Sequence, residues 1–403
     1  MKILFLTDNF PPEVNAPATR TFEHCKEWIK EGVEVTVITC NPNFPQGKVY
    51  DGYKNRFLPQ KEVVEGINVI RVWSYITKNE GFFKRTIDYI SYSLSAFIVG
   101  LFEKTDLIVA TSPQFFTAIS GFWLAFFKRK KWIFELRDLW PDSIRSVTSM
   151  SNQWILNLLE KIELRLYKNA NLIIAVTDAF KSNLINRGID AEKIVVVTNG
   201  CNLELFDPQV DASELRNKLN LNDKIVVSYI GTHGLAHDLE LYVSNLDKIE
   251  NSKVEFLFIG DGANKKLLVQ KAEELNLKNV QFLDPVPKTE IVKYWALADF
   301  ALIPLKRDDT FKTVIPSKIF EAAAMGKPIL LGVDGQAREI MEEHDAGLYF
   351  EPGNFDDFSL KLNRLIDNLE LKDQIKNNCS YLAKAYDRKN LAKQMLKELK
   401  ELL

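Results

Sequence analysis

The sequence predicts an α/β protein made of two successive doubly wound domains, and three observations predict it. The chain has 403 residues, more than one hydrophobic core ordinarily serves. Short apolar, β-branched runs alternate with segments whose apolar residues recur at helical spacing, the pattern of parallel strands joined by helices. The alternation starts afresh after Asn199-Gly200 and runs through a second series of similar size. Hydrophobic residues make up 46% of the chain and charged residues 26%, which fits an ordered globule and excludes a disordered chain.

The elements follow in order. Ile3 to Leu6 is an apolar run ending in Thr7 and Asp8. It reads as a first core strand, and it turns polar too soon for a signal peptide. A loop bearing Pro and Asn spans Phe10 to Ala18; then Phe22, Cys25 and Ile29 recur at helical spacing until Gly32 stops the helix. Val33 to Ile38 completes a strand–helix–strand unit, right-handed by default. Leu107 to Ala110, Trp132 to Leu136, Leu172 to Val176 and Ile194 to Val197 continue the series. The uncharged stretch from Leu107 to Phe127 has the length of a membrane span. Thr111, Ser112, Pro113 and Gln114 interrupt it as a strand–turn–helix junction would.

Val226 to Ile230, Val254 to Ile259, Val280 to Leu283, Phe300 to Ile303 and Pro328 to Val333 form the second series. Polar residues 208–222 read as a linker, and Tyr381 to Leu403 as one charged amphipathic helix. The expected division is residues 1–205, 206–380 and the terminal helix 381–403, which could pack back on the first domain. Ligand is expected beyond the carboxyl ends of the strands, in a cleft between the domains.

Composition narrows the chemistry. A formal net charge of −2 asks for no nucleic acid. Four cysteines, Cys25, Cys40, Cys201 and Cys379, form no CxxC pair and read as reduced, partly buried thiols. The histidines His24, His233, His237 and His344 show no metal-ligand spacing. No D-x-D occurs, so a metal-clamped diphosphate is not expected; Asp308-Asp309 and Asp356-Asp357 read as solvated loop carboxylates. Gly260-Asp-Gly-Ala-Asn-Lys265 resembles half of a dinucleotide fingerprint but lacks the third glycine, and reads better as a tight strand-to-helix turn.

The most informative segment is Val314-Ile-Pro-Ser-Lys-Ile-Phe-Glu-Ala-Ala-Ala-Met-Gly-Lys-Pro328. Ser317 is a good N-cap, Ala322 to Ala324 are strong helix formers, and Gly326 with Pro328 ends the helix. Its free N–H groups, facing the strand ends, suit phosphate. Lys318 stands in the first turn, where the helix dipole disfavours a cation and an anionic partner is therefore expected. Glu321 lies one turn further on, where a carboxylate can accept both hydroxyls of a ribose. The competing reading of the same residues is an ordinary capped helix with surface charges.

The pattern PSK-x-x-E-x-x-A-x-G-x-P resembles the donor-binding signature of retaining GT-B glycosyltransferases of family 4. It is similar above all to the branch that builds bacterial surface polysaccharides, including N-acetylfucosamine-type transferases. Further elements match in order: the acceptor-side loop from Phe10 to Arg20, the Asn199-Gly200 turn, Tyr229-Ile-Gly-Thr-His-Gly234, Gly260-Asp-Gly262, and Asp334-Gly335 through Glu339. The resemblance implies a GT-B fold of two facing Rossmann-like domains. It also implies a nucleotide-sugar donor, UDP-linked, a lipid-linked glycan acceptor in O-antigen or capsule synthesis, and no metal or cofactor.

Carried over residue by residue, the resemblance gives Glu321 to the ribose and Ser317, Lys318, Pro316 and the backbone from Ile315 to the phosphates. Gly231, Thr232, His233 and Gly200 fall on the donor side, Arg137 and Asp138 at the reacting sugar, and Arg20 with Asn15 at the acceptor. The sequence departs from the pattern in three places. Thr313 stands eight positions before Glu321, where the family has a second glutamate; Thr232 and His237 stand where an Arg and a Lys usually hold the diphosphate; and Arg137 replaces a histidine. Two rival readings stay open: a GT-B sugar-nucleotide epimerase, and a non-catalytic nucleotide-sugar-binding partner in a polysaccharide assembly complex.

Two stretches point to a membrane surface. Trp123-Leu-Ala-Phe-Phe-Lys-Arg-Lys-Lys-Trp132 interleaves aromatics with four consecutive cations, and Phe82-Phe-Lys-Arg leads into an apolar run from Tyr89 to Phe102. Cations attract anionic lipid and aromatic rings favour the interface. The expected location is cytoplasmic, peripheral on the inner face of the plasma membrane.

Overall fold

The computed structural model describes residues 1–44, 46–77, 82–139 and 153–403. The chain divides into two units, Met1–Thr198 with Arg388–Leu403, and Asn199–Asp387. The division thus falls a few residues before the expected 205 and after the expected 380.

In the first unit the elements run β1 (Lys2–Leu6), α1 (Ala16–Lys30), β2 (Glu34–Cys40), β3 (Gln60–Val64), β4 (Ile67–Val72), α2 (Phe82–Gly100) and β5 (Leu107–Thr111). They continue through α3 (Phe115–Lys128), β6 (Lys131–Leu136), α4 (Gln153–Asn169), β7 (Leu172–Ala175), α5 (Asp178–Asn186) and β8 (Ile194–Val196). The sheet order is β3-β4-β2-β1-β5-β6-β7-β8, with β3 and β4 antiparallel and the other pairs parallel. Alternation sends Leu4 and Leu6 of β1 to one face and Ile3 and Phe5 to the other, as the two-residue period of a strand requires. The first face is covered by Tyr92 and Ala96 of α2, Leu124 of α3, Tyr167 of α4 and Phe180 of α5. The second is covered by Cys25 and Trp28 of α1 and by the last helix of the chain.

In the second unit the order is α6 (Ser213–Lys218), β9 (Ile225–Ile230), α7 (Leu239–Val243), β10 (Val254–Ile259), α8 (Lys265–Glu274), β11 (Val280–Leu283), α9 (Lys288–Leu297) and β12 (Phe300–Pro304). Then come α10 (Lys318–Ala324), β13 (Ile329–Gly332), α11 (Gln336–Glu343), β14 (Gly347–Tyr349), α12 (Phe355–Asp367) and α13 (Leu369–Ala385). The all-parallel sheet runs β11-β10-β9-β12-β13-β14. Both units therefore have the Rossmann-like reversal of strand order, between β1 and β5 in the first and between β9 and β12 in the second.

Three sequence expectations are corrected. The terminal segment is not one helix: α13 ends at Ala385, and α14 (Arg388–Glu401) belongs to the first unit. There α14 buries Leu391, Met395 and Leu399, and the Ala392 carbonyl accepts the Trp28 indole N–H at 2.8 Å. The loop after β1 is shorter than read, because Asn15 caps α1 through a 2.9 Å bond from the Ala18 amide. Trp132 is not an interface aromatic; it is buried and donates to the Asn169 carbonyl at 3.0 Å. The β3–β4 ribbon and β14 were not anticipated. The four cysteines are buried. Among the described residues, no helix is long and apolar enough to cross a membrane.

Candidate functional site

Where strand order reverses, the loops on either side diverge and leave a crevice at the strands' carboxyl ends. In the second unit that point lies beyond β9 and β12. Gly231 follows β9 at φ +144, a conformation open to glycine and strained for other residues. Its amide donates to the Ile259 carbonyl at 2.8 Å. The turn after β10 packs against it so closely that a Cβ on Gly260 would run into the Gly231 carbonyl oxygen. The His233 amide donates to the Asp261 carbonyl at 2.9 Å. The Gly260–Lys265 motif is thus the strand-to-helix turn, and Lys265 is spent on it, donating to the Gly260 and Leu283 carbonyls at 2.9 and 3.0 Å.

The absent side chain of Gly231 makes room for Lys318. A Cβ there would lie 2.7 Å from the Lys318 ammonium. That ammonium donates to the Tyr229 hydroxyl at 2.8 Å and sits 4.1 Å from the ring centroid, a cation–π contact. The Tyr229 hydroxyl in turn donates to the Thr232 carbonyl at 2.6 Å. Burial, against the favourable charge of Glu321, lowers the Lys318 ammonium to about 7. The first-turn cation is therefore held by an aromatic hydroxyl and a ring, with the Glu321 carboxylate as its opposite charge. The rings of His233 and His237 each pack 5.8 Å from Tyr229. Burial first, then Lys265 and Lys318 for His233 and Lys318 for His237, lowers them to about 4 and about 3, so both are neutral at neutral pH. Among the described residues, neither ring nitrogen of His233 has a hydrogen-bond partner, nor has Nδ1 of His237.

Helix α10 buries Ile319, Phe320 and Ala322 to Ala324, which leaves Lys318 and Glu321, one turn apart, on its half-buried side. Ser317 precedes the helix but does not cap it through its side chain. Its own backbone is already helical, at φ −59 and ψ −21, which withholds the hydroxyl from the first-turn amides. Ile315 is buried, Pro316 half-buried, and Thr313 donates to the Thr310 carbonyl at 3.0 Å. The structure thus brings Gly231, Thr232, His233, Ser317, Lys318 and Glu321 into one neighbourhood around Tyr229. Gly200 is not shown to join it; it adjoins Cys201, whose backbone bridges to Asp387 where the chain enters and leaves this unit. Nearby, a cavity of about 560 Å³ opens beyond β12 and β13, lined by Arg307, Lys312, Asp334 and Tyr349 among others. None of these was singled out in the sequence as a site residue except through the Asp334 motif.

In the first unit, a cavity of about 260 Å³ lies beyond β1, β2 and β5, with Asp8, Asn15, Arg85, Asp88, Tyr89 and Gln114 in its wall. Asn15 therefore lines it as well as capping α1. Arg20 does not face an acceptor. It is 2% exposed, pairs with Glu135 at 2.8 Å, and donates to the Val197 and Thr198 carbonyls at 2.9 and 2.6 Å. A buried guanidinium must be saturated in this way, and Arg20 ties α1 to β6 and to the end of β8. Ser112, after β5, accepts the Arg137 and Asp138 amides at 2.7 and 3.2 Å. The Arg137 guanidinium donates to the Pro17 carbonyl at 3.3 Å. Burial lowers it to about 10 although Glu135 supports its charge. Arg137 and Asp138 stand at the end of β6; burial raises the Asp8 carboxyl, and the Arg137 charge offsets part of that rise.

Two groups here were missed in the sequence. Glu13 is buried and accepts the Asn43 and Phe44 amides at 2.8 Å each, clasping two loops. Burial, outweighing those bonds, raises it to about 7. Asp88 is likewise raised to about 7, by burial and then by the charge of Asp8. Among the described residues no group of His, Cys, Asp and Glu is arranged to hold a metal ion.

Residues 18–205 match the profile of Glycosyltransferase Family 4, and residues 211–380 that of Glycosyl transferases group 1. The putative colanic acid biosynthesis glycosyl transferase WcaI of Escherichia coli is 25% identical over 335 residues, spanning 81% of this chain and 82% of that protein. The N,N'-diacetylbacillosaminyl-diphospho-undecaprenol alpha-1,3-N-acetylgalactosaminyltransferase of Campylobacter jejuni is 25% identical over 251 residues, 61% of this chain and 63% of that one. Among solved structures, Anabaena HepE in complex with UDP and glucose superposes with a TM-score of 0.73 at 19% identity, each chain covered in full.

Proposed function

Because the chain is a GT-B glycosyltransferase, with a family 4 domain followed by a group 1 domain, we propose that it moves a sugar from a UDP-linked donor to a hydroxyl of a lipid-linked glycan. The transfer retains the anomeric configuration, needs no metal, and serves the assembly of a bacterial surface polysaccharide such as O-antigen or capsule. The observation that carries this reading is the Lys318 ammonium, lodged over the side-chain-free Gly231 turn at the strand reversal of the second unit, with Glu321 one turn away. Lys318 is a cation weakened by burial. A diphosphate placed beside it would restore its charge, and the interaction strengthens as charge develops on the leaving phosphate. Glu321 takes the two ribose hydroxyls. The leaving diphosphate accepts the acceptor proton on the same face of the sugar, so the protein needs no general base of its own. Arg137 and Asp138 orient the reacting sugar. The resemblance to N-acetylfucosamine-type transferases makes an N-acetylated deoxyhexose the first donor sugar to try.

Peripheral contact with an anionic membrane on the cytoplasmic side belongs to the same reading. It is supported by the exposed Trp123, Phe126 and Phe127 beside Lys128, Arg129, Lys130 and Lys131. The test of the donor site is calorimetry with UDP. Glu321→Gln removes a charge-assisted contact and should cost about 1.5–3 kcal/mol of UDP affinity with the fold intact. Donor hydrolysis in the absence of acceptor should be slow but measurable in the wild type. Equal UDP affinity of the two proteins would overturn the assignment of Glu321, and a wild type that binds no nucleoside diphosphate would overturn the function.

A further inference from the structure

The second unit holds a cavity that the proposed donor residues leave unused. Its volume of about 560 Å³ falls within the span of small-molecule sites, roughly 300–1,000 Å³. Tyr229, Gly231, Lys318 and Glu321 are not part of its wall. Leu305 and Val333, which directly follow β12 and β13, line it although both are buried, so the cavity has an apolar base. Half-buried Phe311 and buried Pro352 extend that base. The rim consists of matched charges: Arg307 pairs with Glu351 and Lys312 with Asp309, each at 2.8 Å. Arg338 stands 3.7 Å from Asp334, and its guanidinium lies 3.9 Å from the centroid of the Tyr349 ring. The wall sets three cations against four carboxylates, so its field does not favour an anion. The loop 305–313 that forms one side is fixed at both ends. The Lys306 amide donates to the Ala236 carbonyl at 2.9 Å. Gly335, at φ +75, approaches the other end so closely that a Cβ there would lie 2.2 Å from the Lys312 carbonyl oxygen.

We propose that this cavity is a second carbohydrate site, which takes one uncharged, methyl-bearing sugar unit of a glycan, such as an N-acetylated hexose. The apolar base receives the methyl group, whose burial is favourable. The rim receives the hydroxyls. A hydroxyl both donates and accepts, and an ion pair offers it both partners at once, the carboxylate as acceptor and the guanidinium or ammonium as donor. A phosphate or a sugar acid would instead meet the excess of carboxylates and would have to displace one of them from its cation. The side chains of Arg307 and Lys312 are 75% and 51% exposed. The rim is therefore open to solvent, and a sugar with neighbours on either side of it in a chain can enter. The site goes beyond the reading of Lys318 and Glu321 as donor residues and does not depend on it, because it uses none of their atoms.

The test titrates the full chain, by ligand-observed NMR, with the methyl glycosides of N-acetylglucosamine and of glucose, with glucuronate and with inorganic phosphate. The N-acetylated glycoside should bind with a millimolar Kd, about fourfold more tightly than the glucoside, which lacks the extra methyl. Saturating UDP should leave that binding in place. The variant Arg307→Ala/Glu351→Gln should weaken it about tenfold while UDP affinity stays unchanged; Arg307→Ala alone serves should the double variant fold poorly. The proposal is overturned if neither glycoside binds saturably, or if glucuronate or phosphate binds more tightly than both. Displacement of the glycoside by UDP overturns it too, because the sugar would then occupy the donor site, and so does equal glycoside affinity in wild type and variant. Failure of the transferase reading would show separately, as absence of UDP binding, with the glycoside titration still reporting on the cavity.

Discussion

The strand reversals of the two units use burial in opposite senses. In the second unit burial pulls a cation, Lys318, down to about 7. In the first it pushes carboxyl groups, Glu13 and Asp88, up to about 7. Each site thus holds groups close to losing their charge at neutral pH, but the partner that would restore that charge differs. Lys318 gains from an anion, as a diphosphate is. Asp88 beside Asp8 has no such gain from an anion and suits neutral hydroxyls. On the proposed reading, the contrast fits a donor in the second unit and an acceptor in the first.

The comparison breaks most visibly at Arg20, whose buried charge is met by Glu135. Arg20→Met leaves Glu135 buried and unpaired, and should lower the unfolding free energy by about 3–5 kcal/mol in a denaturant titration. A loss below about 1 kcal/mol would show that the pair is not what ties α1 to β6.

Lys318→Met should do the reverse. It removes a cation that burial disfavours, so stability should hold or rise, while UDP affinity falls by about 1.5–3 kcal/mol. The pH dependence sharpens the point. The free site holds Lys318 half-protonated near pH 7, and the bound diphosphate favours the protonated form. Above that pH, binding must take up a proton, so UDP affinity should fall between pH 7.5 and 9, by at most about tenfold per pH unit. Calorimetry should show this slope in the wild type and a flatter one in Lys318→Met; identical slopes would remove Lys318 from the phosphate site.

The smallest expected effect is none. With Lys318 and backbone amides as the positive field, EDTA should leave turnover unchanged. Loss of activity restored by Mg²⁺ or Mn²⁺ would mean that the diphosphate is held by a metal after all.

Much of the fold was legible because parallel strands buried on both faces read as unbroken apolar runs, such as Val254 to Ile259. The β3–β4 ribbon was not, because its outer strand carries Lys61 and Glu62 on a half-exposed edge, and β14 is three residues long. Lys318 could be picked out because a cation in the first turn of a helix is locally anomalous, whereas Gly231 came only with the family resemblance. Tyr229 could not: its hydroxyl meets Lys318 across 89 residues of sequence, and an aromatic in a strand looks like core. Arg20 was misplaced because it lies on the buried face of α1 with His24 and Trp28, four and eight residues on, and its partner Glu135 is 115 residues away in sequence. Asp8 and Asp88 are unremarkable acids until the fold sets them in one cavity wall.

The return of α14 to the first unit has a consequence for synthesis. The face of the first sheet that holds Trp28, Val35 and Ile133 is closed by Leu391, Met395 and Leu399. Those residues leave the ribosome only after every residue of the second unit has done so. The earlier-made half of the chain is therefore the later to be completed. Until its final helix arrives it must carry an open apolar face, while the second unit already has all of its own strands. A nascent chain stalled before Arg388 should present a finished second unit and a first unit that chaperones or proteases can still recognise. A tag or fusion that strains the last turns of α14 would act on the half of the molecule farthest from it in sequence.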